Sequence, residues 1–141
     1  MAEQSRILLV DDEPSIVKMV AKRLEVEGFH VLVAMDGQAG LTAAQTEHPD
    51  LMILDLMLPK MNGYEVCSTL KRDARYQRIP IILFTAKAQD KDEKFGMECG
   101  ANAYVRKPFR AQELLEKIRT LLSVSPSPSE TTPSQPGGMQ G

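Results

Sequence analysis

The chain is poor in the features that mark several large protein classes. Its 141 residues include only two cysteines. Cys67 and Cys99 stand too far apart for a disulfide framework or a zinc site, and read as reduced, partly buried thiols. Net charge is nearly absent as well, with 17 basic and 19 acidic residues giving −2. So small a balance supplies no broad field for nucleic acid or an anionic membrane. No run of about 18 apolar residues occurs, and no basic stretch leading into an apolar core opens the chain. These absences point to a cytosolic protein with no direct contact to nucleic acid or membrane. What remains is ordinary: 43% hydrophobic and 26% charged residues, as in one globular domain with room for a core.

The apolar residues that are present fall in short blocks. Ile7–Val10, His30–Ala34, Leu51–Leu54, Ile79–Phe84 and Ala103–Val105 have the length and branching of strands. Between them lie stretches with helical spacing: Ile16, Val17, Val20 and Leu24; Ala39, Leu41, Ala43 and Ala44; Val66, Cys67 and Leu70; the charged Asp90–Glu98; and Leu114 to Leu122. Five strands alternating with five helices predict a parallel sheet covered on both faces. The doubly wound order 2-1-3-4-5, the flavodoxin-like arrangement, then opens a crevice between strands one and three. From Val124 onward the composition turns to Ser, Pro, Thr, Gly and Gln. Residues 1–123 are therefore expected to form the domain and 124–141 a disordered tail.

Four of the five strands of this scheme end in a residue with chemistry. The first delivers Asp11-Asp12, the third Asp55, the fourth Thr85 and the fifth Lys107. Taken singly, each has a bland explanation: Asp12 or Glu13 capping a helix ahead of Pro14, Asp55 capping a turn, Lys107 lying on the surface. Their meeting at one sheet edge makes coincidence a poor explanation. Three carboxylates there would repel unless a cation joined them, and hard oxygen ligands on an open site suit Mg²⁺. Lys107 and the Thr85 hydroxyl can then hold phosphoryl oxygens while Asp55 acts as a carboxylate nucleophile.

Asp11-Asp12, the run Asp55 to Gly63 (DLMLPKMNG), Thr85-Ala86 and Lys107-Pro108-Phe109 together resemble the motif set of the response-regulator receiver domain. The resemblance runs from about Arg6 to Leu122. It implies that Asp55 accepts the phosphoryl group and that Asp12 binds Mg²⁺ directly. Asp11 would act largely through water, and the Met57 backbone carbonyl would supply a further ligand. By the same resemblance Thr85 and Lys107 grip the phosphoryl group, Tyr104 is the aromatic switch residue, and the Lys107–Pro108 bond is cis. The face formed by the charged helix, the fifth strand and the last helix would signal to a downstream protein target. A histidine kinase or a phosphotransfer protein would supply the phosphoryl group.

Met57 and Lys87, two residues beyond Asp55 and Thr85, are expected to shield it from water. A phosphohydrolase of the haloacid dehalogenase type would need an acid where Met57 stands, and a flavodoxin-like cofactor binder a phosphate loop where Asp11-Asp12-Glu13 stands. Both readings fail on those residues. A stand-alone receiver is expected, with the receiver part of a larger regulator as the alternative.

Overall fold

In the computed structural model, which describes residues 4–85, 99–107 and 109–124, five parallel strands form one sheet in the order β2-β1-β3-β4-β5. The strands are β1 (Arg6–Val10), β2 (His30–Ala34), β3 (Leu51–Asp55), β4 (Ile81–Thr85) and β5 (Ala103–Arg106). The expected order and fold class therefore hold. Four helices lie among the described residues: α1 (Pro14–Val26), α2 (Gly37–Glu47), α3 (Gly63–Lys71) and α4 (Ala111–Val124). The helix expected over Asp90–Glu98 falls outside the described residues, as do Lys87, Pro108 and the tail from residue 125.

The central strands β1 and β3 are mostly aliphatic because both faces of the sheet are covered there, whereas the edge strand β2 leaves Val33 exposed. Alternate residues feed two cores. Leu8, Val10, Met52, Leu54, Ile81, Leu83 and Tyr104 pack against α2 and α3. Ile7, Leu9, Leu51, Ile53, Ile82, Phe84 and Val105 pack against α1 and α4. Each large side chain so buried contributes about 1.5–3 kcal/mol. That reserve lets the sheet carry repelling carboxylates at its edge without losing the fold.

Local chemistry sets the ends of the helices, and it departs from the sequence reading in three places. Glu13 occupies the cap position of α1 with Pro14 next, yet neither it nor Asp12 makes a side-chain cap bond. The Glu13 N–H instead donates to Asp11 Oδ1 at 2.9 Å. Asn62-Gly63 is a turn signal in sequence, yet here Asn62 accepts from the Glu65 N–H at 3.0 Å, while Glu65 accepts from the Asn62 N–H at 3.0 Å. The pair is a capping box that starts α3 immediately after the β3 loop. On α2 the inward face is Gly37, Gly40, Leu41 and Ala44 rather than Ala39. Gly40 takes that place because a Cβ there would press on the Val10 side chain at about 2.9 Å.

The loop between β3 and α3 is held from both sides. Gly63 N–H donates to Leu56 O at 3.0 Å and Gly37 N–H donates to Pro59 O at 3.2 Å. A Cβ on Gly63 would collide with the Asp55 carbonyl oxygen, and one on Gly37 with the Met61 carbonyl. Glycine at these two positions allows α2 and α3 to close on the strand end that carries Asp55.

Candidate functional site: an acidic cleft closed by a lysine

The register of the sheet brings the ends of β1, β3, β4 and β5 to one edge. Val10 pairs with Leu54, Asp55 with Phe84 and Thr85 with Arg106. Asp11 therefore follows β1 directly beside the Asp55 end of β3, and Lys107 follows β5. Carboxylate oxygens of Asp11, Asp12 and Asp55 all lie within 4.8 Å of one another. Asp11 is fully buried and Asp55 is 5% exposed, whereas Asp12 opens to solvent.

One cation enters this cluster. Lys107 Nζ lies 2.9 Å from Asp11 Oδ2 and 3.5 Å from Asp55 Oδ2. Its ammonium also stands 4.6 Å from the centre of the Phe84 ring, which Phe109 braces edge-on at 4.8 Å. That aromatic platform limits where the lysine can reach. The remaining oxygen of Asp55 accepts from the Met57 N–H at 3.3 Å. The Met57 side chain itself is 60% exposed. Burial pushes the Asp55 carboxyl up from 3.8 to about 6; Lys107 opposes the rise and Asp11 adds to it.

Asp11, Asp12, Asp55 and Lys107 are thus assembled as the sequence suggested. The Thr85 backbone ends β4 at the same edge. Tyr104 lies deeper, opposite Leu83, in the core under α2 and α3. Sequence reasoning missed the Phe84–Phe109 platform, since Phe84 read as strand filling and nothing placed Phe109 against it. It also missed the Lys107–Asp11 pair, having assigned the lysine to phosphoryl oxygens alone.

The donor set can be tested for fit to a cation. Among the described residues, the three carboxylates meet one ammonium, which pairs with Asp11 and Asp55 and leaves excess negative charge. All the ligands are hard oxygens, and the exposed Asp12 leaves one side open to water. A small divalent ion that keeps part of its hydration matches this cluster.

Fold and cleft together define a doubly wound α/β domain with an acid-and-lysine site at the switch point of its sheet. The family model for the response regulator receiver domain matches residues 7–119, and the chain belongs to that family. Among relatives, it is 44% identical over 117 residues to the DNA-binding dual master transcriptional regulator RpaA of Synechocystis, covering 83% of this chain and 48% of that protein. It is 45% identical over 119 residues to the DNA-binding response regulator MtrA of Mycolicibacterium smegmatis, covering 84% and 51%. Among solved structures, the receiver domain of a Pseudomonas aeruginosa sensor histidine kinase superposes with a TM-score of 0.80 at 28% identity, covering 86% of this chain and 99% of that one. That structure holds a magnesium ion coordinated in its active-site cleft.

The chain spans about half the length of the curated relatives it matches. The expectation of no direct nucleic-acid binding is corrected here, because those relatives are DNA-binding transcriptional regulators. It rested on the small net charge of this chain. That charge does not bear on a DNA-binding portion elsewhere in a longer regulator. Among the described residues, no helix is long and apolar enough to cross a membrane.

Proposed function

We propose that the domain receives a phosphoryl group on Asp55 from the phosphohistidine of a histidine kinase or phosphotransfer protein and relays that event to an output. The observation that carries this reading is the convergence of three carboxylates with Lys107, within 2.9 and 3.5 Å of Asp11 and Asp55. Asp55 attacks phosphorus through a carboxylate oxygen. The P–N bond to the donor imidazole breaks, the imidazole keeps the electron pair and takes up a proton, and an acyl phosphate forms on Asp55. Asp12, Asp55 and the Met57 carbonyl would hold Mg²⁺, with Asp11 acting through water, and the ion would supply neutralisation of charge on the phosphoryl oxygens.

The chain's own residues do the rest. The Met57 N–H fixes the Asp55 carboxylate, and the Phe84 ring confines the Lys107 ammonium to the side from which it can pair with a phosphoryl oxygen. Thr85 is assigned to a second phosphoryl oxygen, and Tyr104 to the response of the core beneath it. Residues 1–123 are the unit that carries this activity. The half-length match to RpaA and MtrA supports a role as the regulatory half of a DNA-binding regulator; the alternative is a stand-alone receiver acting on a protein target.

Intact mass after incubation with acetyl phosphate tests the chemistry. One added phosphoryl group that requires Mg²⁺ and is absent from Asp55→Asn is expected. Continuous consumption of the donor by a chain that never gains mass would instead mark a hydrolase.

A further inference from the structure

A second pair of reactive groups lies away from the acidic cleft. Cys67 sits in the middle of α3 and is fully buried, and Cys99 lies half-buried just before β5. They are 32 positions apart in sequence, yet Cys67 Sγ stands 3.7 Å from the Cys99 carbonyl oxygen. Cys99 packs into the same core cluster as Cys67. The approach depends on Gly100, whose φ of +101° and close contact with Lys71 exclude a side chain: a Cβ there would lie 2.8 Å from Lys71 Cγ. Lys71 is one helical turn after Cys67 on the same face of α3. Its ammonium is pinned by the carbonyls of Gln77 at 3.0 Å and Ile79 at 2.8 Å. The Cys99–Gly100 segment thus lies along the Cys67–Lys71 stripe of α3, with a positive charge fixed nearby.

We propose that Cys67 and Cys99 form a modification site that a hydroperoxide converts to an intramolecular disulfide. The two thiols play different parts because their surroundings differ. Cys99 is the one solvent reaches. The neighbouring Cys67 thiol, ahead of the Ala101 backbone and the Lys71 charge, brings it down to about 7, against an opposing effect of burial. The contact with Cys99, together with burial, pushes the Cys67 thiol up, so that it stays protonated.

In the first step the Cys99 thiolate attacks one peroxide oxygen. The O–O bond breaks, and Cys99 becomes a sulfenic acid as the peroxide is reduced to water or an alcohol. In the second, Cys67 sulfur attacks the Cys99 sulfur, the S–O bond breaks, and water leaves with the Cys67 proton. The product ties α3 to the entry of β5. The acceptor carboxylate at the opposite end of the strands takes no part.

The test exposes the full chain, under native conditions, to hydrogen peroxide and reads intact mass and a non-reducing peptide map. The expected product is a monomer about 2 Da lighter, with the Cys67 and Cys99 peptides joined, reversed by a thiol reductant, and melting at a higher temperature than the reduced chain. Cys99→Ser, at a half-exposed position that tolerates the change, should show no joined peptide and leave Cys67 unmodified. Cys67→Ser should accumulate a sulfenic acid on Cys99 that dimedone traps. Oxygen addition at Cys99 with Cys67 still free in the parent chain would overturn the proposal. So would a Cys99-linked dimer, or no reaction while the chain stays folded.

Discussion

Asp55 and Lys107 have opposite effects on the fold because they sit on opposite sides of one charge conflict. Asp55 has its carboxyl raised from 3.8 to about 6, chiefly by burial. The fold thus favours the protonated form. That contribution is fully present below about pH 4 and is lost as pH rises through about 6. Above pH 6 the ionised carboxylate destabilises the domain. Asp55→Asn is expected to raise stability in Mg²⁺-free buffer at pH 8 by about 1–2 kcal/mol. The ~3 kcal/mol that such a shift carries in a dry site is reduced by water at the open side. The gain should disappear near pH 4, and thermal melts at the two pH values check it. Lys107→Ala should move the other way by about 2–4 kcal/mol, because it leaves the fully buried Asp11 beside Asp55 without its cation. Under the proposed function, metal binding depends on the same group. Mg²⁺ affinity measured by calorimetry should fall as pH drops through about 6, since the proton competes for Asp55; a flat profile from pH 5 to 8 would exclude Asp55 as a ligand.

At the scale of elements, the strands were legible because burial in the sheet favours short apolar blocks, and four of the five blocks end near an acid, hydroxyl or lysine. The helix ends were less so. Hydropathy hides glycine as a packing residue, and this concealed the roles of Gly40, Gly37 and Gly63. Asn62-Gly63 signals a turn in the sequence, while the capping box with Glu65 makes it the start of α3. The Lys107–Asp11 pair spans 96 positions, and Cys67 and Cys99 span 32; neither proximity has a local signature. Gly63 gives the sharpest prediction at this scale. A Cβ would meet backbone atoms of Asp55 and Leu56, which cannot rotate away. Gly63→Ala should therefore destabilise by about 2–3 kcal/mol in urea unfolding, and slow phosphoryl uptake through displacement of the Asp55 loop. A variant as stable as the parent would show that α3 can slide outward at no cost.

For the molecule as a whole, the family match runs from residue 7 to 119, and the last described helix ends at Val124. A chain ending at residue 124 should keep the melting temperature and the phosphoryl uptake of the longer one, because the Ser-, Pro- and Gly-rich remainder offers little to bury. A drop of several degrees would assign that remainder a place in the fold. The sheet edge gathers its acids and its lysine around Asp55, the proposed acceptor. Borohydride reduction tests this most directly, since an acyl phosphate is reduced to the alcohol and an unmodified carboxylate is not. After phosphorylation by acetyl phosphate with Mg²⁺, peptide mass mapping should find homoserine at position 55 and aspartate retained at 11 and 12. Homoserine at position 11 or 12, or at none of the three in a chain that has gained the phosphoryl mass, would rule out Asp55 as the acceptor.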